Sequence, residues 1–415
     1  MGQDSNQRGR PLSRNLIISP IISLVPWLNL GVGTKPRIAF VHNLLIHYRV
    51  PVFNLLSKSK EFRFDFYFAA IHPGMRGKER TEQYKPTFAY VVLNALQLGG
   101  DRFVSPSLLW HLLRSYDLYV SGPLASPDCW ITFLAAKLRK RPFILWDERW
   151  TPTRSLLSQL VQPFQLLIAK KSDSVIVPGS RSFNYFSGVL GDTKALSVVP
   201  NASTLTAPTP RQVHDFREQN RIPSDAKVVL YVGRLLALKG LEFLLQGFSE
   251  LESNLKDEAF LLIAGDGEYR EHLEEISKRL DIRNLVFIGH VDDQATCLGA
   301  GDVVVLPSVS TREISEIWGM VVNEAASLGK PVVVTEAVGC ADDLVRRFEC
   351  GYVVREQDAD AIHLAIQKIL SDRKLALTMG ANGIKATKSA FSFETMADGF
   401  CEAIRKTLSS SKGRA

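Results

Sequence analysis

Two carboxylates stand eight residues apart in Ser315-Glu316-Ile317-Trp318-Gly319-Met320-Val321-Val322-Asn323-Glu324. Two cations close a second fragment, Gly233-Arg234-x4-Lys239-Gly240, which follows the apolar run Val228 to Val232 and leads into an apolar-periodic stretch from Leu241. A strand-to-helix loop of that kind offers an anion two charges and the positive end of a helix. Glu316 falls in a loop, and Glu324 lies eight residues, about two turns, further on, in a helix that begins near Gly319. A carboxylate just before a helix accepts hydrogen bonds from hydroxyls, and a second one takes a diol such as ribose bidentately. Gly265-Asp266-Gly267 and Gly289-His290 end two more apolar runs, where glycine lets a ligand approach the main chain. The chemistry implied is binding of a phosphorylated, hydroxyl-rich molecule.

The elements that must hold these residues alternate. Apolar runs at Arg37 to His42, Phe62 to Ala69, Ala89 to Leu93, Leu118 to Ser121, Pro142 to Trp146 and Ser174 to Val177 are separated by helix-length segments, among them Ser107 to Ser115 and Asp128 to Arg139. A helix starting near Pro51 follows the first run, with proline suited to a helix start. The pattern weakens between Pro200 and Pro223 and resumes at Lys227, with runs at Val228 to Val232, Phe260 to Ala264, Leu285 to Ile288, Val303 to Leu306, Pro331 to Thr335 and Gly351 to Val354. Strand and helix in alternation predict parallel sheets covered on both faces. Ligands of such sheets bind beyond the carboxyl ends of the strands, so the expectation is an α/β protein of two doubly wound, Rossmann-like domains facing a central cleft. The boundaries read as a flexible N-terminal extension over 1–35, a first domain over 36–205 completed by a C-terminal helix within 391–408, and a second domain over 206–390. No G-x-G-x-x-G follows the first strand of either domain, which disfavours a nicotinamide dehydrogenase.

The ordered series Gly233-Arg234-x4-Lys239-Gly240, Gly265-Asp266-Gly267, Phe287-x-Gly289 and Glu316-x7-Glu324 with Gly329-Lys330-Pro331-Val332 resembles the nucleotide-sugar domain of retaining GT-B glycosyltransferases of family 4. Val199-Pro200-Asn201 resembles that family's domain junction, with Ala202 where glycine is usual, and the last helix, Phe391 to Thr407, resembles the one that crosses back to the first domain. The resemblance implies that Gly233, Arg234, Lys239, Gly265, His290, Val291, Glu316, Gly319, Met320 and Glu324 form the donor site. Arg234 and Lys239 would bind the diphosphate, Glu324 the ribose and Glu316 the hydroxyls of the transferred sugar, with main chain at His290 and Val291 facing the base. Ile317 replaces a more usual small residue or proline. Asp358-Ala359-Asp360 has the form of the metal-binding DxD of other glycosyltransferases, but is read as the cap of a helix over Ala361 to Leu370, since Asp favours helix starts.

The first half matches that family less well. Its opening loop, His42-Asn43-Leu44-Leu45-Ile46-His47-Tyr48-Arg49-Val50-Pro51, lacks paired glycines, yet Tyr48-Arg49-x-Pro51 resembles a recurrent variant, with Arg49 available to a phosphate. Asp147-Glu148 ends the strand Phe143 to Trp146, and a carboxylate there can orient an acceptor or hold the attacking hydroxyl, Glu148 being preferred. Tyr48, Arg49, Asp147 and Arg76 are thus the acceptor-binding expectations, and Arg234, Lys239, Glu316 and Glu148 the catalytic ones. The reaction expected is transfer of a sugar from a nucleoside-diphosphate sugar with retention of configuration, with no tightly bound cofactor and no metal. A non-catalytic nucleotide-sugar-binding subunit and a sugar-nucleotide epimerase on the same fold are the alternatives.

Composition sets the partners. The chain has 415 residues, 46% hydrophobic and 22% charged, with net charge +7, which suits a globular two-domain protein. Before residue 200 there are 25 Lys and Arg against 12 Asp and Glu, leaving the remainder net acidic. The loop Met75 to Lys85, with Arg76, Lys78, Arg80 and Lys85, adds to that basic half. An anionic membrane, nucleic acid or a phosphorylated substrate each answers to such a surface; the reading adopted is a glycan or lipid-linked acceptor near an anionic membrane, with no nucleic acid. Five unpaired cysteines, Cys129, Cys297, Cys340, Cys350 and Cys401, suggest reduced thiols and a cytoplasmic protein, peripheral at the inner membrane face. The stretch Leu16 to Gly33 is apolar but broken by Pro20, Pro26 and Asn29, and reads as a flexible or membrane-grazing extension, not a span.

Overall fold

The computed structural model describes residues 35–72, 82–99, 102–152, 156–193, 195–255, 258–311 and 315–412. The stretch Leu16 to Gly33 and the basic residues Arg76, Lys78 and Arg80 lie outside these described residues. From Lys35 onward the chain forms one compact unit.

Its first sheet is built from β1 (Arg37–Leu45), β2 (Arg63–Ile71) and β3 (Tyr90–Val92); a small antiparallel pair, β4 (Leu96–Gly99) and β5 (Arg102–Val104), stands apart; and β6 (Leu118–Gly122), β7 (Phe143–Trp146), β8 (Ser174–Val177) and β9 (Leu196–Val198) complete it. The order is β3-β2-β1-β6-β7-β8-β9, every pairing parallel. The second sheet uses β10 (Lys227–Val232), β11 (Ala259–Ala264), β12 (Leu285–Gly289), β13 (Val303–Leu306), β14 (Val332–Thr335) and β15 (Gly351–Val354) in the order β12-β11-β10-β13-β14-β15, again all parallel. These strands read as continuous apolar runs because helices cover both faces. Val228, Val229, Leu230 and Tyr231 of β10 all have zero exposure, each such side chain contributing roughly 1.5–3 kcal/mol. The chain reverses its outward growth between β1 and β6 in one sheet and between β10 and β13 in the other. Those switch points are where crevices open at the carboxyl ends of strands.

One face of the first sheet packs Leu108, Leu112, Cys129, Phe133 and Ile168 from its covering helices. The other face receives the last helix, Phe393–Lys412, through Met396, Phe400, Ala403 and Ile404 at helical spacing. Phe400 meets Trp146 at 5.0 Å and Phe40 at 5.6 Å between ring centroids. The helix Pro210–Gln219, started by a capping box of Thr209 and Gln212, packs instead on the helix Gln294–Ala300 of the second half. Asp358 accepts a hydrogen bond from the Ala361 amide at 2.8 Å and so caps the helix Ala359–Ser371, as the sequence suggested, with Asp360 in its first turn. Sequence reading misses the β4/β5 hairpin and β9, which are too short to show a period.

Candidate active site

At the second switch point, a single 3-10 turn, Ala237–Lys239, follows β10 and presents Lys239. Gly240 ends it at φ +60°, where a Cβ would fall 2.2 Å from the Pro307 carbonyl oxygen. Glu316 comes from the loop after β13. Its carbonyl accepts from the Gly339 amide at 3.0 Å, and it bridges to Val338. The Lys239 ammonium pairs with the Glu316 carboxylate, which also accepts from Ser308 Oγ at 3.2 Å. Both side chains keep 15% of their surface exposed, enough to meet a ligand and too little for free rotation. Two groups far apart in sequence are thus brought into one contact, with Arg234 exposed on the same loop.

Gly319 caps the helix Met320–Ser327 at φ +90°, and a Cβ there would lie 2.9 Å from both Leu306 and Val338. Met320 is its first residue, and Glu324, 3% exposed, sits on its inner face. One Glu324 oxygen accepts from Ser203 Oγ at 2.8 Å and the other from Gln294 Nε2. Gln294 belongs to the helix that follows His290 and Val291, so Glu324 and the His290 segment are neighbours. His290 itself points outward, 77% exposed and 3.4 Å from Asp292, while Val291 packs partly into the core. Neither Ser203 nor Gln294 is legible in the sequence. The glycines of the neighbouring turns serve main chain before ligand: a Cβ on Gly265 would fall 1.8 Å from the Gly233 carbonyl, and Gly265 donates to Gly289 O at 2.7 Å.

Across from this, Arg49 follows β1 and Glu148 follows β7, and the two form a salt bridge. Arg49 is 6% exposed, 4.2 Å above the Trp146 ring, with Nη1 donating to Asn201 Oδ1 at 3.5 Å. Burial opposes its charge, but Glu148 and Tyr48 outweigh it and raise its pKa. Burial also pushes the Tyr48 phenol up, against the pull of Arg49. Asp147 faces elsewhere. It is 2% exposed, with Oδ2 accepting from the Leu124 amide at 2.7 Å and Oδ1 from Arg149 Nε at 2.8 Å, so its hydrogen-bonding capacity is used in shaping the strand end. Arg49 Nε, Trp146 Nε1 and Asn201 Nδ2 are buried without a partner among the described residues. A buried N–H without an acceptor costs about 1–3 kcal/mol, a cost that ordered water at these atoms would relieve.

His42 packs against Trp146 with ring centroids 4.8 Å apart, and burial plus the nearby Arg49 lower its pKa to about 3. Its folded pKa lies below the unfolded value, so the unfolded chain binds the proton first and stability falls as pH drops below about 6.5. The expected loss is at most ~1.4 kcal/mol per pH unit down to about pH 3. In His42→Gln this part of the acid sensitivity should vanish, which urea midpoints at pH 5 and pH 7 would show as a smaller difference than in the parent chain. An equal difference in both proteins defeats the assignment.

The two halves meet around these groups. Trp150 Nε1 donates to the Glu316 carbonyl at 3.2 Å and Thr151 Oγ1 lies 3.3 Å from Ser315 Oγ. Asn323 Nδ2 donates to the Asn201 carbonyl at 2.9 Å, and Ser180 Oγ to Asp343 at 2.9 Å. The Lys239–Glu316 and Arg49–Glu148 pairs thus stand at the switch points of two sheets whose loops these contacts join.

Residues 212–386 match the profile of the family described as glycosyl transferases group 1. An uncharacterized glycosyltransferase of Methanocaldococcus jannaschii is 32% identical over 186 residues, 44% of this chain and 46% of that protein. The lipopolysaccharide core biosynthesis glycosyltransferase LpsE of Rhizobium meliloti is 30% identical over 216 residues, 52% of this chain and 59% of its own length. The chain thus spans about half the length of these curated relatives. Among solved structures, Anabaena HepE in complex with UDP and glucose superimposes with TM-score 0.71 at 19% identity, covering 89% of this chain and 100% of that one. The sucrose-phosphate synthase of Thermosynechococcus elongatus gives 0.68 at 21% identity, over 91% and 100%. The fold is GT-B.

Proposed function

We propose, taking as premises that residues 212–386 are a glycosyl transferases group 1 domain and that the chain has the GT-B fold, that this protein is a retaining glycosyltransferase. It moves a hexose from a nucleoside-diphosphate sugar to an acceptor hydroxyl, in polysaccharide or glycolipid assembly, with a glycan or lipid-linked acceptor. The observation that carries the reading is the contact between Lys239 and Glu316 at the second switch point. A cation for the diphosphate and a carboxylate for sugar hydroxyls belong at one site, and the fold brings these two together from 77 residues apart. The UDP complex of HepE and the polysaccharide roles in the names of LpsE and the capsular enzyme CapM of Staphylococcus aureus support the substrate classes.

Departure of the diphosphate builds negative charge, which Arg234 and Lys239 stabilise as preorganised cations. Glu316, released from Lys239, holds the sugar, and Glu324 takes the ribose diol by exchanging its Ser203 and Gln294 partners. Attack on the same face, assisted by the leaving phosphate, needs no protein nucleophile. On the acceptor side Glu148, 21% exposed beside the buried Arg49, accepts a hydrogen bond from the attacking hydroxyl.

Glu316→Gln is expected to separate binding from transfer. It removes the anion paired with Lys239, so calorimetry should find nucleoside diphosphate bound at least as tightly as by the parent while sugar transfer drops about tenfold or more. Weaker diphosphate binding by this variant would contradict an exchange of partners at Lys239. The test of the whole reading is thermal stabilisation by a panel of UDP-, GDP- and ADP-sugars. A ligand at ~100 times its Kd should add ~2.7 kcal/mol, and Lys239→Ala and Glu324→Ala should abolish the effect. Stabilisation by none of the panel would sink the donor site. Binding without product release in the presence of acceptors would favour the non-catalytic subunit, and turnover without acceptor the epimerase.

A further inference from the structure

Three helices cover one face of the first sheet, Leu108–Leu112, Pro127–Leu138 and Leu156–Lys171, and they share one core cluster through Leu112, Phe133 and Ile168. They also adjoin one another, the first packing on the second and Trp130 of the second meeting Phe164 of the third at 5.4 Å. Their outward sides should be polar on a helix that faces water alone. Instead Trp110 is 75% exposed, Leu138 77% and Leu160 78%, with Leu134, Phe164 and Leu167 at 37–50% beside them. Leu134 and Leu138 stand one turn apart, and Leu160, Phe164 and Leu167 repeat at helical spacing. Large apolar side chains thus recur on the exposed side of all three helices, where single exposed residues would be ordinary.

Charge says what covers it. Arg139, Lys140 and Arg141 follow Leu138 directly, Lys170 and Lys171 end the third helix, and Arg114 ends the first; all are exposed. Between Ser105 and Ser172 the sequence holds four carboxylates, and none balances this rim. Asp128 and Asp147 are buried, Asp117 accepts from the Arg37 amide at the start of β1, and Glu148 pairs with Arg49 in the cleft. Asp173 pairs with Lys137 at 3.2 Å and accepts from the Phe143 amide. A second copy docked with these cationic helix ends facing one another would gain like-charge repulsion. An anionic bilayer offers apolar depth for Trp110, Leu138 and Leu160 and negative headgroups for the cations.

We infer that the outer face of these three helices docks on an anionic lipid bilayer. The second helix starts at Pro127, just past the carboxyl end of β6, so its bound face begins beside the cleft and brings a lipid-borne acceptor alongside the Arg49–Glu148 pair. That last step rests on the acceptor proposed above; the docking surface does not.

The experiment is vesicle co-sedimentation of the full chain with phosphatidylcholine alone and with phosphatidylcholine containing one-third phosphatidylglycerol. The parent should bind the anionic vesicles at least tenfold more tightly. Leu138→Asp/Leu160→Asp and Arg139→Glu/Lys140→Glu, all at exposed positions, should each lose at least tenfold with thermal midpoints unchanged. Parent protein indifferent to phosphatidylglycerol overturns the inference, and so do variants that sediment like the parent, since attachment would then lie elsewhere, as in the apolar stretch Leu16 to Gly33. A dimer that the apolar variant dissolves in light scattering also overturns it, by giving the face to a second copy. Nucleotide-sugar binding, read on the same samples, stands or falls separately.

Discussion

Lys239→Ala should lower the rate of sugar transfer by ~10²–10³, equivalent to ~3–4 kcal/mol of transition-state stabilisation. The loss is expected in the chemical step because the diphosphate gains charge as it leaves, and a cation fixed before the reaction stabilises that gain without reorganising. Lys239 is positioned by the turn that Gly240 closes against Pro307, with 15% of its side chain exposed. Arg234, exposed on the same loop, supplies the second charge but is less confined, so it should compensate only in part. The fold should survive, since the substitution shortens a side chain at the cleft and leaves Ser308 Oγ on Glu316. Single-turnover rates with saturating donor are the measurement. A donor KM raised alone, with the rate constant unchanged, would reduce Lys239 to a binding group.

Much of this site is legible before folding because its parts obey local rules. Parallel strands buried on both faces must be apolar runs, so each of β10 to β15 is visible in the sequence to within a residue or two. A turn that needs positive φ selects glycine, which is why Gly240 and Gly319 punctuate the loops that carry Lys239 and Glu316. What local rules do not show is pairing over distance. Ser203 and Gln294 reach Glu324 from 121 and 30 residues away, and Trp150 reaches Glu316 from 166. Asp147 and Glu148 illustrate the limit most clearly. As neighbours in sequence they are equivalent carboxylates at a strand end. The Leu124 amide and the Arg149 guanidinium turn one inward, and Arg49 draws the other toward the cleft. Likewise Gly233 and Gly265, which sequence reading gives to a ligand, are required first by the close approach of two strand ends.

The Arg49–Glu148 pair should respond asymmetrically to removal of either partner. Arg49 has 8% of its side chain exposed and Glu148 21%, so the carboxylate can turn to water and the guanidinium cannot. Glu148→Ala leaves a buried cation with its Nε already unpartnered, and is expected to destabilise the protein by ~3 kcal/mol or more, the range for breaking a buried pair from one side. Arg49→Met keeps apolar bulk over Trp146 and frees Glu148, and should cost roughly half as much. The double substitution should then be less damaging than the sum of the two, by a coupling of ~1 kcal/mol or more. Urea unfolding of the four proteins measures all three quantities, and equal losses from both single substitutions would contradict the burial argument. Activity separates a further role. Glu148→Gln retains the shape and some hydrogen bonding to Arg49, so at a temperature where it is folded any loss beyond about tenfold in kcat, with donor KM unchanged, belongs to the acceptor hydroxyl that Glu148 is proposed to hold. A carboxylate needed only to keep Arg49 buried would lose stability in that variant and leave kcat in place.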